Sequence, residues 1–341
     1  MSEIPSGAMR FNSDSQKLEY WDGSQWVQVH TFSPNLDGGA RGVYTGGFSP
    51  SPGVTANSDY INLSSTGDAQ SFGDISSARR YVASCSSSTR GLTMGGTTPS
   101  NINEIIKTEI SSTGSHADFG DLTESKYAPS GYSNQTRGIS FGGYATPLNV
   151  NTIEYVTISS EGNAVNFGDM TYASRYSTCA GSKTRAMPMG GYVGPAATST
   201  INLVTIATTG DAQDFGDLSQ AIYDSQGATG NGTRTVIHIR DTPANPTTLD
   251  QYNPISGGSN SSFGDLTVAR LFSSGNTCLS SPTRGFFGSG YVPGGSPTYT
   301  DTIDYVLFAT EGNAVDFGDA ASNGGIGSAG YGAFSNAHGG L

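Results

Sequence analysis

Between residues 125 and 170 the pattern of apolar and polar positions changes every few residues. A small, polar run, YAPSGYSN, gives way to RGISFGG; a polar loop, ATPLNVN, precedes the apolar-rich TIEYVTISS; then come Glu161-Gly162-Asn163 and AVNFGDM. Apolar runs this short, bounded by Gly, Asn, Pro and Ser, predict four β-strands. The third and fourth strands meet around Gly67-Asp68, Gly162-Asn163, Gly210-Asp211 and Gly312-Asn313, and Gly at the first central position predicts a two-residue type II′ hairpin. Pairs of glycines at Gly46-Gly47, Gly95-Gly96, Gly142-Gly143 and Gly190-Gly191 close the second strand, where a positive φ or a close backbone approach is needed.

This pattern recurs. Phe-Gly-Asp begins at Phe72, Phe119, Phe167, Phe215, Phe263 and Phe317, at steps of 47 or 48 residues and a last step of 54. Arg41, Arg90, Arg137, Arg185, Arg234 and Arg284 mark the same units, mostly within TRG-like contexts, at steps of 47 to 50. Two markers with one period define six repeats, so EGNAVNFGDM and EGNAVDFGDA are one corner of units three and six. Six four-stranded units at this period predict an all-β protein, a six-bladed β-propeller of four-stranded antiparallel blades. A solenoid would need polar capping units at both ends. Instead, repeat one starts at its second strand, ARGVYTGG, and the chain ends in GGIGSAGYGAFSNAHGGL, which has the texture of a first strand. The C-terminal strand is therefore expected to complete blade one and remove two open edges. The domains read as residues 1–33, a short N-terminal β-module, and 34–341, the propeller.

Composition narrows the function. The chain of 341 residues carries 48 Gly and only 13% charged residues, with a net charge of −12, which argues against nucleic acid or anionic membrane as a partner. No apolar run is long enough to span a membrane, and MSEIPSGAMRF lacks the apolar core of a secretory signal. The three cysteines, Cys85, Cys179 and Cys278, read as small buried residues in one first-strand slot of alternate units, too far apart for disulfides. His30, His116, His238 and His338 share no metal-ligand spacing, and no phosphate loop, nucleophile elbow or EF-hand spacing occurs. We expect no enzyme activity, no cofactor and no metal. Unit five departs from the pattern, reading TRTVIHIRD without the Gly pair; His238, Arg240 and Asp241 there read as drift within a repeat in preference to a binding spot.

The order of Arg, small residues, Gly-Gly, an aromatic in the third strand (Tyr60, Tyr155, Tyr252, Tyr305) and a large aromatic near the last strand resembles the kelch repeat of six- and seven-bladed propellers, over about residues 40 to 335. Phe of Phe-Gly-Asp stands where kelch repeats usually carry Trp. The six Phe are expected to pack between blades, each burial contributing about 1.5–3 kcal/mol. Asp74, Asp121, Asp169 and Asp265 precede Arg79, Lys126, Arg175 and Arg270 by five or six residues, a spacing that suggests ion pairs bridging successive blades.

Outside the repeats, GAMRFNSDSQKLEYWDGSQWVQV at residues 7 to 29 reads as three strands broken at Asn12 to Ser15 and at Asp22-Gly23. Gly7, Met9, Arg10, Phe11, Asn12, Glu19, Tyr20, Trp21, Asp22, Gly23 and Trp26 resemble a short β-module of bacteriophage tail-fibre and other virion proteins, and the Gly- and Ser-rich units with Phe-Gly-Asp are similar to repeats of marine phage structural proteins. The resemblance implies a non-enzymatic virion component, assembled in the host cytoplasm and present in multiple copies. Residues such as Arg10, Phe11, Tyr20, Trp21 and Trp26 would attach it to other virion proteins. An aromatic follows the second-strand glycines at Phe48, Tyr144, Tyr192 and Tyr291. On loops rich in Ser, Thr and Asn, such rings suit a host cell-surface glycan or receptor, or else pack against the next blade. The alternative class is purely architectural, a capsid decoration or tail adaptor without receptor binding.

Overall fold

The computed structural model describes residues 5–12, 17–28, 40–49, 51, 53–223, 227–239, 247–256, 260–272, 278–292, 294, 299–321, 330–338 and 341. The chain divides into two compact units, Met1–Gly39 and Ala40–Leu341. Among the described residues all regular structure is β, with no helix.

The first unit is an antiparallel meander of Met9–Asn12, Lys17–Trp21 and Trp26–Gln28. The second contains, among its described residues, six four-stranded antiparallel sheets. Five of them cover residues 83–121, 130–169, 178–222, 228–265 and 278–319, each with strands in chain order. The remaining one is composite: the near-C-terminal strand Gly332–Ser335 pairs with Arg41–Thr45, which pairs with Asn57–Asn62 and then Gln70–Asp74. Counting this composite as sheet one, the first strand of each sheet lies against the first strand of the next, and the first strand of sheet six lies against Gly332–Ser335. The second unit is thus an all-β, propeller-like arrangement.

Packing of the first strands explains their small, polar composition. Serine and threonine hydroxyls reach across to the neighbouring first strand: Ser86 Oγ donates to Ser335 O at 2.7 Å, Ser133 Oγ to Ser86 O at 2.7 Å, Thr229 Oγ1 to Leu279 O at 2.7 Å and Ser335 Oγ to Ser280 O at 2.6 Å. Side chains of this size leave room for such close approach while satisfying buried carbonyls.

The Phe-Gly-Asp corner is the repeated joint between sheets. Its Phe carbonyl accepts the N–H of a Gly from the following sheet: Gly114 to Phe72, Gly162 to Phe119, Gly210 to Phe167, Gly312 to Phe263 and Gly67 to Phe317, at 2.6–2.9 Å. The Asp N–H in turn donates to the side chain following the turn glycine, as in Asp121 to Asn163, Asp169 to Asp211, Asp265 to Asn313 and Asp319 to Asp68. Gly168, at φ +154°, faces the Gly210 carbonyl so closely that a Cβ would sit 2.3 Å from its oxygen. This geometry corrects the expected two-residue hairpin. In sheet three the strands end at Thr157 and resume at Val165; the turn itself is at Thr157 to Ser160, and Gly162-Asn163 belongs to an extended passage that docks on the previous sheet.

Five of the six Phe side chains, Phe72, Phe119, Phe167, Phe263 and Phe317, are buried. Phe119 packs with Val156 and Ile158 of sheet three, Phe167 with Val204 and Ile206 of sheet four, and Phe317 with Leu63 and Ala69 of sheet one. Phe215 is half-buried beside Met187 and Tyr252. The marker arginines also join neighbours: Arg41, Arg90, Arg137, Arg185 and Arg284 donate to Ile110 O, Ile158 O, Ile206 O, Ile255 O and Leu63 O of the next sheet.

Two expectations change partner or place. The cations after Phe-Gly-Asp pair not with its Asp but with a third-strand carboxylate: Arg79 with Glu104, Lys126 with Glu154 and Arg270 with Asp304. The third strand directs that carboxylate inward beneath the linker, whose backbone also uses it, Thr123 N donating to Glu154 and Thr267 N to Asp304. Where Ser174 takes the cation's place, Asn202 takes the carboxylate's, accepting from Thr171 N at 2.8 Å. Arg175 lies one position further on. The cysteines do not share one slot either: Cys85 stands opposite Leu92, two residues after its marker Arg, whereas Cys179 and Cys278 stand opposite Pro188 and Phe287, three after theirs. A one-residue offset turns the side chain to the other face of the strand. None of the three forms a disulfide.

Candidate functional site

The loops after the second strand and the linkers between sheets meet at one end of the sheets. Isolated bridges make the contact: Arg80 with Thr97, Tyr127 with Tyr144, Arg175 with Tyr192 and Leu271 with Tyr291. In two of these loops the chain folds into a small ribbon, Phe48–Ser49 with Gly53–Val54 and Tyr144–Ala145 with Leu148–Asn149. Side-chain amides hold adjacent loops together, Asn101 Nδ2 donating to Tyr144 O at 3.0 Å and Asn149 Nδ2 to Tyr192 O at 2.9 Å. An aromatic surface results.

All four loop aromatics named from the sequence lie here, and each is half-buried. Tyr144 packs on Tyr127 at 5.2 Å between centroids, Tyr192 on Tyr223 at 5.4 Å, Tyr291 on Tyr299 at 5.4 Å, and Phe48 on Tyr299 at 6.4 Å. Tyr81 and Tyr176 meet edge to face at 5.4 Å, although sheet three stands between the sheets they precede, and Tyr127 touches both. Sequence reasoning missed these linker rings. Their signal was periodic only in part: the sixth residue after the Asp of Phe-Gly-Asp is Arg80, Tyr127, Arg175, Tyr223 and Leu271 in successive units, while Tyr81 and Tyr176 are the seventh. Arg80 stacks over Phe48 and Tyr81 at 5.3 and 4.8 Å, and Arg175 lies over Tyr144 and Tyr192 at 4.8 and 4.7 Å.

A second concavity, of about 50 Å³, lies where the first strands converge. Ser86, Ser133, Thr229, Ser280, Ser335 and His338 are among its lining residues. His338 follows the strand Gly332–Ser335; its Nε2 is 2.7 Å from Ser86 O and 3.2 Å from Ser133 Oγ. A carbonyl only accepts, so Nε2 carries the proton, and burial pushes the imidazole down to about 4. Among the described residues no group of three or more His, Cys, Asp or Glu is arranged to hold a metal. His238 is buried with its ring edge-on to Phe272 at 5.3 Å; Arg240 and Asp241 lie outside the described residues.

In the first unit, the residues named for attachment divide by face. Arg10 pairs with Glu19 at 2.8 Å and stacks over Trp26 at 4.2 Å, and Trp21 packs on Trp26 at 5.5 Å. Asn12 Nδ2 also donates to Glu19, and together with Arg10 it holds the Glu19 carboxyl below its ordinary range. Asp22 accepts from Ser24 N and Gln25 N, fixing the turn. Arg10, Trp21 and Trp26 therefore build the module. Phe11 and Tyr20 lie on the opposite face with Met9 and Leu18, in register as Met9↔Tyr20 and Phe11↔Leu18, and all four are exposed.

No helix among the described residues is long and apolar enough to cross a membrane. Comparison with protein-family models and with curated protein sequences returns no match, so geometry and motif resemblance carry the functional reading.

Proposed function

We propose that Ala40–Leu341 is a closed, six-bladed β-propeller that presents its aromatic end to a host cell-surface glycan, and that residues 1–33 fasten it to a bacteriophage virion without enzymatic activity. Support for closure comes from the pairing of Gly332–Ser335 with Arg41–Thr45 and from the Phe-Gly-Asp joint between sheets six and one, where Gly67 N donates to Phe317 O at 2.9 Å. Convergence of Phe48, Tyr144, Tyr192 and Tyr291 with linker tyrosines on one end carries the glycan reading. Tyrosine faces stack on the C–H faces of sugar rings, and their hydroxyls meet sugar hydroxyls. The virion part rests on the resemblance of residues 7 to 26 to tail-fibre modules. The exposed Met9, Phe11, Leu18 and Tyr20 supply an apolar face suited to attachment.

A glycan array probed with the full chain tests this. Binding that Tyr144→Ala and Tyr192→Ala each weaken about tenfold, in line with the worth of an aromatic contact, supports the reading. Uniform absence of binding, with the chain still detected on purified particles, replaces it with the architectural role.

A further inference from the structure

Resting on the glycan reading, we infer that the ligand of the aromatic end is an acidic sugar, a pyranose bearing a carboxylate, and that Arg80 and Arg175 are two separate places that receive such a carboxylate. The first observation is that the fold does not need a cation at this position. Equivalent residues in the linkers to sheets three and six are Tyr127 and Leu271, which bridge to the loop after the second strand as Arg80 and Arg175 do but without charge, and in the linker to sheet five the place is taken by Tyr223, which packs on Tyr192 of sheet four. Cations with a structural task in this protein look different. Arg79, Lys126 and Arg270 lie one residue earlier, are fully buried, and each has a carboxylate partner.

Arg80 and Arg175, by contrast, have no carboxylate partner among the described residues. Both are half-buried at the aromatic end. Arg175 spends one N–H on Asn149 Oδ1 at 3.3 Å, while its Nε is buried without a hydrogen-bond partner. The guanidinium carbon lies 4.8 and 4.7 Å from the ring centres of Tyr144 and Tyr192 and 5.7 and 5.9 Å from those of Tyr176 and Tyr127, and among the described residues Nη2 is left for an acceptor. A guanidinium set among tyrosine rings suits a sugar carboxylate, the sugar ring stacking on a tyrosine while the guanidinium binds the carboxylate. The third-strand carboxylates Glu104 and Glu154 are engaged by Arg79 and Lys126, and sheet four carries Asn202 at that place. With a net charge of −12, the protein as a whole repels polyanions, so affinity for one must come from a local site such as this.

Titration calorimetry with the full chain tests the inference, using oligosaccharides of galacturonic acid against galactose oligosaccharides of equal length. The expected result is tighter binding of the uronate series, with Arg80→Gln and Arg175→Gln each weakening it about tenfold or more, the worth of a hydrogen bond to a charged group, and weakening galactose oligomers by less, so that the preference for uronate falls. Arg80→Tyr and Arg175→Tyr, which copy what linkers to sheets three and five carry, give the same loss should either Gln variant fail to fold. Equal binding of both series, unchanged in all four variants, overturns the carboxylate assignment and leaves the glycan reading standing. Binding of neither series, nor of any neutral glycan on the array, overturns the glycan reading and the inference with it.

Discussion

Gly168 shows how much a single residue carries at the joint between sheets. It and Gly162 have nearly the same backbone, φ +154° and +152°, yet a Cβ on Gly162 would meet nothing within 4 Å, while one on Gly168 would press on the Gly210 carbonyl. Gly162→Ala should therefore cost only the conformational term, about 1–3 kcal/mol. Gly168→Ala should lose a further ~1–3 kcal/mol because the neighbouring sheet must move aside. Urea midpoints measure the difference; equal midpoints would mean that the close approach carries no weight. That Phe, Gly and Asp recur was plain in the sequence, but their tasks were not. Period gives position within a unit, whereas the tasks belong to the contact between units: a carbonyl for the next turn, a gap for its backbone and an N–H for its Asn or Asp. The marker arginines were legible only as markers for the same reason, since the carbonyl reached by Arg41, Arg90, Arg137 and Arg185 lies about 70 residues further along the chain and that reached by Arg284 lies 221 residues back.

At the level of the element, the linkers to sheets two, three and six are each tied to a third strand by a cation and a carboxylate, and the linker to sheet four has a neutral version of the same places. Lys126 with Glu154 is the ionic version, both side chains fully buried; Ser174 in the cation's place with Asn202 in the carboxylate's is the neutral one. Removing one member of a buried ion pair strands the other charge, at a cost of about 3–5 kcal/mol, while replacing both is often nearly neutral. Lys126→Ser alone is therefore expected to destabilise by that amount, and Lys126→Ser with Glu154→Asn to recover most of it, since a Thr123 N–H remains to be accepted by the Asn as Thr171 is by Asn202. A double-mutant cycle in urea shows it; additive losses would mean that the two residues act separately. Four strands per unit and the C-terminal completion of sheet one could be read from strand texture. The third-to-fourth connection could not, because Gly-Asn looks the same in a hairpin turn and in an extended passage docked on another sheet.

For the whole second unit, two features near the C-terminus set how its stability responds to conditions. His338 has its folded-state value pushed down to about 4 by burial, and His116 likewise, from an ordinary value of 6.5. Above 6.5 neither folded nor unfolded chain holds the proton, and stability is complete. Between 6.5 and 4 the unfolded chain takes protons that the folded one refuses, so stability falls with pH across that window. Thermal midpoints should decline there, and His338→Gln should flatten the decline; an unchanged profile would show that the imidazole titrates freely. The strand before His338 makes the larger contribution. Ending the chain at residue 329 removes Gly332–Ser335, so that Arg41–Thr45 becomes an open edge, and it removes the serine links from Ser335 to Ser280 and from Ser86 to Ser335. Unpaired N–H and C=O groups along such an edge recruit another chain. The shortened protein should therefore elute as dimers or larger species and be cleaved faster by trypsin. A peptide of residues 330–341 added in trans should restore the monomer by strand addition. A shortened chain that stays monomeric, with its urea midpoint unmoved, would show that the first and last repeats hold together without the shared sheet, and would remove the closure on which the propeller reading stands.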